Sequence, residues 1–237
     1  MKEHAHTCQE QLKQLQTEFD EFAYIVSHDL KAPLRAISNL SGWIKEDLGE
    51  ALEPDIAHNI HLLQNRTERM ERMISALLSF SRVGRQDLEV REVAVQEMIE
   101  KIAAPFQEKS GLKVHLSQLP TLTTYCRKLE TVFCHLLQNA VQFNEQETPE
   151  VWISAKQLPT HFLFSVRDNG IGIPADSLGK IFKMFYTVQP KDRQESLGAG
   201  LTIVHKIVRF AGGTIEAKSD LNQGTEMLFT WPLSLTA

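Results

Sequence analysis

The sequence is poor in cysteine. Cys8, Cys126 and Cys134 are its only three, irregularly spaced in 237 residues. They fit neither a zinc-ligand pattern nor a disulfide framework, so a reducing, cytoplasmic compartment is expected. Long apolar runs are missing as well. No stretch approaches the roughly 20 apolar residues that span a bilayer, and Met1 does not open a signal peptide. Any membrane or sensing part is therefore expected outside this chain. Positive charge is also short: 25 Lys and Arg stand against 30 Asp and Glu, a formal net charge of -5. Binding a phosphate backbone needs a basic surface, so nucleic acid is not expected as a partner. Internal repeats and low-complexity tracts are absent too.

What is present is an ordinary globular composition. Apolar residues make up 42% and charged residues 23%, enough to bury a proper core. The length allows one large domain or two modest ones. The apolar pattern favours two. From about Thr7 to Leu48, residues Leu12, Leu15, Phe19, Phe22 and Val26 recur at alternating steps of three and four, which is coiled-coil spacing. Leu30, Leu34, Ile37, Ile44 and Leu48 extend the stripe. Gly49 suits the end of this helix and Pro54 the start of the next. A second stripe through Ile56, Ile60, Leu63, Thr67, Met70, Ile74 and Leu77 runs to Val83, and Gly84 ends it. Met70 and Met73 read as core filler. So long a stripe is not buried within one hairpin. A second copy, giving a dimeric four-helix bundle, is the economical solution. The expected division is a helical domain over 1–88 and a second domain over 89–237.

The texture changes after Gly84. Alternating segments at Leu112–Leu116, Val151–Ala155, Phe162–Val166, Thr214–Lys218 and Thr225–Trp231 predict strands. Helical spacing predicts helices over Gln96–Lys109, Lys128–Phe143, Leu178–Phe185 and Leu201–Phe210. Helices and strands mix without strict alternation, which suits a sheet covered on one face by helices. Two glycine-rich segments punctuate this part, Asp168 to Pro174 and Leu197 to Leu201. Glycines let backbone amides approach an anion, and Gly198 and Gly200 directly precede a helix. Neither segment matches G-x-x-x-x-G-K-[ST], so a Walker-type loop is excluded. Asn139 sits in the middle of a helix, where Asn is a poor structural choice. Its side-chain oxygen is a candidate ligand for a hard cation.

In the first domain Ser27 to Arg35 reads S-H-D-L-K-A-P-L-R. His28 is followed at once by Asp29 and, five residues on, by Pro33. A proline inside a helix removes one donor and crowds the carbonyl four residues back, so a bend is expected there. A carboxylate beside an imidazole tunes it as a nucleophile. Taken alone, one histidine among nine is more often an inert surface or core residue.

Taken together, these segments resemble a sensor histidine kinase of two-component signalling over about Phe19 to Leu233. Ser27 to Arg35 resembles the H box and His135 to Phe143 the N box. Asp168 to Pro174 resembles the G1 box, Ile181 to Tyr186 the F box and Gly198 to Leu201 the G2 box. Gly224-Thr225 resembles the closing glycine box. The resemblance implies a dimeric helical hairpin followed by a two-layer α/β (α+β) sandwich of the Bergerat, or GHKL, ATP-binding type. It implies His28 as phosphoacceptor, assisted by Asp29. Asn139 would bind Mg²⁺ at the ATP phosphates and Asp168 would accept from the adenine amino group. Gly170, Gly172, Phe182 and Leu201 would shape the nucleotide site. Gly198 and Gly200 would hinge a lid from Tyr186 to Leu197 and meet the phosphates. ATP and Mg²⁺ are the implied cofactors. A response-regulator receiver domain is the implied partner beside the second copy of the chain.

Four positions depart from that pattern. His135 stands where the first Asn of the N box is common, and Gln142 where Lys or Arg is usual. Ser196 replaces a glycine, and Ala32 stands where strong phosphatases carry Thr or Asn. Lys191 or Arg193 on the lid, or Lys183, would replace the charge missing at Gln142. Two other readings stay open. One is an ATPase of gyrase or chaperone type. The other is a pseudokinase scaffold that binds nucleotide and partner without useful transfer.

Overall fold

The computed structural model describes residues 2–49, 53–188 and 196–233. The chain divides into two compact units, Met1–Arg82 and Val83–Ala237.

The first unit is a helical hairpin of α1 (Lys2–Leu48) and α2 (Pro54–Arg82). α1 continues through Pro33 without a break. Gly49 ends it in the left-handed region at φ 44°, which glycine reaches without a Cβ penalty. The buried seam repeats every seven residues: Ser27, Leu34 and Ser41 on α1, and Ile60, Thr67, Ile74 and Ser81 on α2. That is heptad packing in which the large apolar knobs Leu34, Ile60 and Ile74 alternate with the hydroxylated Ser27, Ser41, Thr67 and Ser81. Three of the buried hydroxyls bond to their own helix: Ser41 to the Ser38 carbonyl at 2.7 Å, Thr67 to that of Gln64 at 2.8 Å, Ser81 to that of Leu78 at 2.9 Å. Many other large apolar residues of the sequence stripe lie outside this seam. Leu15, Phe19, Phe22, Leu30, Ile37, Ile44, Leu48, Ile56, Leu63 and Met70 are all exposed within one chain. Met70 is therefore not core filler of the hairpin. Leu34, Ile60 and Ile74 fill the seam beside the smaller hydroxylated residues, and the other bulky side chains are turned away. The side chain of Leu12 lies outside the described residues.

The second unit begins with the turn after Arg82. The Lys128 ammonium donates to the carbonyls of Val83 and Gln86, the latter at 2.9 Å. Burial lowers its pKa, opposed by the negative charge of Asp87. β1 (Val90–Ala94) pairs antiparallel with β3 (Thr121–Tyr125) as a small separate sheet. The main sheet has five strands in the order β2-β4-β5-β7-β6, with β2 (Lys113–Leu116), β4 (Glu150–Gln157), β5 (His161–Asp168), β6 (Ile215–Ser219) and β7 (Thr225–Pro232). Only β2 and β4 are parallel; the remaining pairs are antiparallel. Helices α3 (Val95–Ser110), α4 (Cys126–Gln142) and α6 (Gly200–Phe210) pack as the second layer.

The core is built where period-2 strands meet a period-3.6 helix. Phe164 on β5 stacks on its register partner Phe229 on β7, ring centres 5.1 Å apart. Phe133 on α4 meets both edge-on at 5.6 Å. All three rings are fully buried, each contributing about 1.5–3 kcal/mol. The Trp231 indole N–H donates to the Thr124 hydroxyl at 2.7 Å and ties the main sheet to β3.

Two elements differ from the sequence pattern. β3 has no apolar alternation to predict it. Its inward residues are Leu122 and Thr124, and a buried threonine conceals the period. The helix expected over Leu178–Phe185 is instead the single turn α5 (Ala175–Leu178), followed by turns. Leu178, Ile181, Phe182 and Phe185 imitate helical spacing, but Phe185 has φ 60° and ends any helix there.

Candidate functional site

His28 and Asp29 lie on α1, with side chains 74% and 69% exposed. The His28 Nδ1–H donates to Asp29 Oδ1 at 3.1 Å. That bond assigns the proton to Nδ1 and leaves the Nε2 lone pair as the nucleophilic one. Ala32, one turn on, is also exposed and presents only a methyl group.

The other residues singled out belong to the second unit, and tertiary contacts bring most of them together. Asp168 ends β5 and is half-buried. Its Oδ1 accepts the backbone N–H of Gly170 at 2.8 Å and of Thr225 at 3.1 Å. Burial raises its pKa; these two N–H groups and Arg167 oppose the rise. Oδ1 is thus committed to the backbone, and Oδ2 is the acceptor that remains for a ligand. Asn169 is a brace. Its Oδ1 accepts from Asn144 Nδ2 at 2.7 Å and from the Glu150 N–H at 2.8 Å, and its Nδ2 donates to the Thr148 carbonyl.

Around Asp168, three glycines are required by close approach. A Cβ on Gly170 would lie 2.4 Å from the Phe143 carbonyl oxygen, at the end of α4. On Gly172, at φ 72°, it would lie 2.1 Å from the Asp220 carbonyl oxygen. On Gly224, at φ 81°, it would meet the Asp168 carbonyl oxygen at 1.9 Å. Gly224→Ala is therefore expected to lower stability by about 2 kcal/mol, the scale of local backbone strain. Urea unfolding reads this directly, and an unchanged midpoint would contradict it.

Asn139 is half-buried on α4, one turn before Phe143. His135, one turn before Asn139, packs on the start of α6: a Cβ on Gly200 would lie 3.3 Å from His135 Nδ1. Burial lowers the His135 pKa. Gly200 is the first residue of α6 and Leu201, half-buried, the second. Gly198, at φ 70°, backs onto the Tyr186 carbonyl, and its own carbonyl accepts the Phe185 N–H at 2.9 Å. Residues 188 and 196 flank the segment that carries Lys191 and Arg193, which lie outside the described residues. Phe182 is half-buried against His205 of α6, ring centres 5.3 Å apart. Gln142 and Lys183 are exposed.

Sequence reasoning missed Ser219. Its hydroxyl accepts the Ile173 N–H at 2.8 Å and donates to the Gly224 carbonyl at 2.7 Å, joining both glycine turns around Asp168. A lone Ser ending a strand carries no motif that would have revealed it.

Among the described residues no group of three or more His, Cys, Asp or Glu side chains gathers to hold a metal. The Asn139 side-chain amide oxygen is of the donor type that would fit Mg²⁺ held mainly by phosphates and water. No helix among them is long and apolar enough to cross a membrane.

An exposed histidine on a helical hairpin, followed by a two-layer sandwich with glycine turns around a half-buried aspartate, defines a phosphoacceptor module joined to a GHKL-type ATPase module. Residues 20–86 match the His Kinase A (phospho-acceptor) domain. Residues 125–235 match the histidine kinase-, DNA gyrase B-, and HSP90-like ATPase family. Cyanobacterial phytochrome B of a Nostoc species is 36% identical over 229 residues, covering 93% of this chain and 30% of the phytochrome. The methanogenesis regulatory histidine kinase FilI of Methanothrix harundinacea is 32% identical, covering 91% of this chain and 25% of its own length. Full-length ShkA, solved in complex with AMPPNP, superimposes with a TM-score of 0.65 at 23% identity over 92% of this chain and 46% of its own. The chain belongs to the sensor histidine kinases. It spans a quarter to a third of the length of the curated relatives it matches first.

Proposed function

We infer that this chain transfers the γ-phosphoryl group of ATP to His28 and then to an aspartate of a response-regulator receiver domain. The observation that carries this reading is His28 itself: an exposed imidazole with Nδ1–H held by Asp29, which presents Nε2 for in-line attack. Asp168 Oδ2 accepts from the adenine amino group. The amides at the start of α6, freed by Gly198 and Gly200, receive phosphate oxygens. Gly170 and Gly172 hold the turn below the base, and Phe182 and Leu201 wall the site. Asn139 supplies the protein oxygen to Mg²⁺, which neutralises phosphate charge when bound. The exposed bulky face of the hairpin supports burial against a second copy. We place the sensor module in sequence outside this chain and the transfer domain boundary near 88.

The test is incubation with γ-labelled ATP and Mg²⁺. Acid-labile, alkali-stable label is expected on the protein. A chain that binds Mg-ATP but takes up no label would be the scaffold instead. The regulator, once phosphorylated, is expected to lose phosphate at nearly its intrinsic rate in this protein's presence, because Ala32 has no hydroxyl or amide to orient a water. Strong stimulation of that loss by the purified protein would refute the Ala32 reading.

A further inference from the structure

Asp29 holds His28 by one edge. The face of the imidazole has a neighbour too. One helical turn earlier on α1, Tyr24 stacks on it, ring centres 6.4 Å apart and planes 30° from parallel. Residues four apart meet on a helix surface, so this contact needs no distortion. Tyr24 is 52% exposed and so does not serve the hairpin core. It is held from the other helix: the Arg82 guanidinium carbon lies 5.5 Å from the Tyr24 ring centre. Arg82 is half-buried and is the last residue of α2. A chain of contacts thus runs from the end of α2 through Tyr24 to His28 and Asp29.

We propose that Tyr24 is a positioning residue for phosphoryl acceptance at His28, and that Arg82 fixes Tyr24 from the opposite helix. The proposal rests on His28 being the acceptor. An exposed imidazole samples several rotamers, and one exposed contact at 3.1 Å restrains it weakly. The Asp29 bond selects the tautomer; it does not fix the ring plane. A second ring against the imidazole face limits rotation out of that plane. The guanidinium over the Tyr24 ring restrains the tyrosine in turn. In the transfer step the Nε2 lone pair forms the N–P bond. The bridging P–O bond breaks, and its electron pair leaves with ADP. Tyr24 gives and takes nothing; it raises the fraction of time that Nε2 points at the incoming phosphorus.

The Arg82–Tyr24 contact joins α2 to the residue that stacks on the acceptor.

The test uses the full chain with selectively labelled histidine. The His28 ring signals are those missing from the His28→Gln spectrum. Tyr24→Leu is expected to move them downfield, because ring-current shielding is lost, and Tyr24→Phe to leave them in place. At saturating Mg-ATP, Tyr24→Leu is expected to label about two- to tenfold more slowly, the range an aromatic pair supports, with KM for ATP unchanged. Tyr24→Phe restores the wild-type rate, and Arg82→Gln falls between the two. A wild-type rate with unmoved His28 signals in Tyr24→Leu overturns the proposal. So does a Tyr24→Phe variant as slow as Tyr24→Leu, which would assign the effect to the hydroxyl. Failure of the underlying acceptor reading looks different: wild-type protein takes up no label on His28, while the ring signals still respond to Tyr24→Leu.

Discussion

Replacing His28 by glutamine is expected to remove the acid-labile label completely and to leave Mg-ATP affinity at the wild-type level. Glutamine keeps a polar side chain of similar reach, but an amide nitrogen has no available lone pair with which to attack phosphorus. Folding is not at stake. The His28 side chain is 74% exposed, and surface changes of this kind stay within about 0.5 kcal/mol. Binding is untouched because the groups assigned to nucleotide all lie in the second unit. The alternative acceptor with similar chemistry is His115, whose Nε2 lies 2.9 Å from Glu150 Oε2 and whose ring stacks on Trp152 at 5.3 Å. In that histidine it is Nε2 that meets the carboxylate, whereas in His28 it is Nδ1, which leaves the Nε2 lone pair for attack. Gel phosphorimaging under alkaline conditions, with calorimetry for ATP, separates the outcomes. Label that persists in His28→Gln and disappears in His115→Gln would move the acceptor to β2.

Asp168→Asn is expected to weaken Mg-ATP binding about 100-fold, the loss of ~2–3 kcal/mol that follows when a charged partner leaves a buried hydrogen bond. The geometry makes the amide worse than a neutral acid. Oδ1 already takes two backbone N–H groups, from Gly170 and Thr225. An asparagine must keep its oxygen there, so its NH₂ group occupies the Oδ2 position and faces the adenine amino group, donor against donor. Stability should move the other way. Burial raises the folded-state pKa of Asp168, so its ionised form is disfavoured in the folded state. The contribution of a group with a raised folded pKa is fully present below its unfolded pKa. It is lost as pH rises through the folded value. At neutral pH the carboxylate therefore costs stability that the amide does not. The variant is expected to unfold at an equal or higher temperature at neutral pH, with the advantage shrinking in acid. Such opposition of activity and stability is common at binding sites. A variant that keeps wild-type ATP affinity would remove Asp168 from the site.

Much of the site is legible in the order of the residues alone. The S-H-D segment, the two glycine turns and Asn139 are local signals, and local chemistry places them. Glycine at a left-handed φ, as at Gly172 and Gly198, announces a turn in its own segment. The long helices are legible because apolar residues recur at helical spacing. Pattern and structure part where local preference and tertiary demand disagree. The 178–185 segment has helical apolar spacing, yet Phe185 turns to φ 60° and its N–H goes to the Gly198 carbonyl. A contact across the second glycine loop outweighs the local preference. In β3, Thr124 faces inward because Trp231, 107 residues later, supplies its hydrogen bond. On the hairpin the large residues imitate an intrachain seam. Among the described residues only Leu34, Ile60 and Ile74 of that large apolar stripe are buried in it, and Ser27, Ser41, Thr67 and Ser81 take the positions between them.

The family, the histidine with its adjacent carboxylate and the glycine turns all follow from the chain's own residue order. Each motif is recognisable from residues within one turn or one loop, and the family from their order along the chain. The presentation of Asp168 does not follow from it. Its backbone donors and the Ser219 clasp come from segments up to 57 residues away in the chain. The contact from Arg82 through Tyr24 to His28 likewise exists only once the hairpin has closed. Pairings across such distances leave no period in a sequence, because the two partners are matched in space and not along the chain.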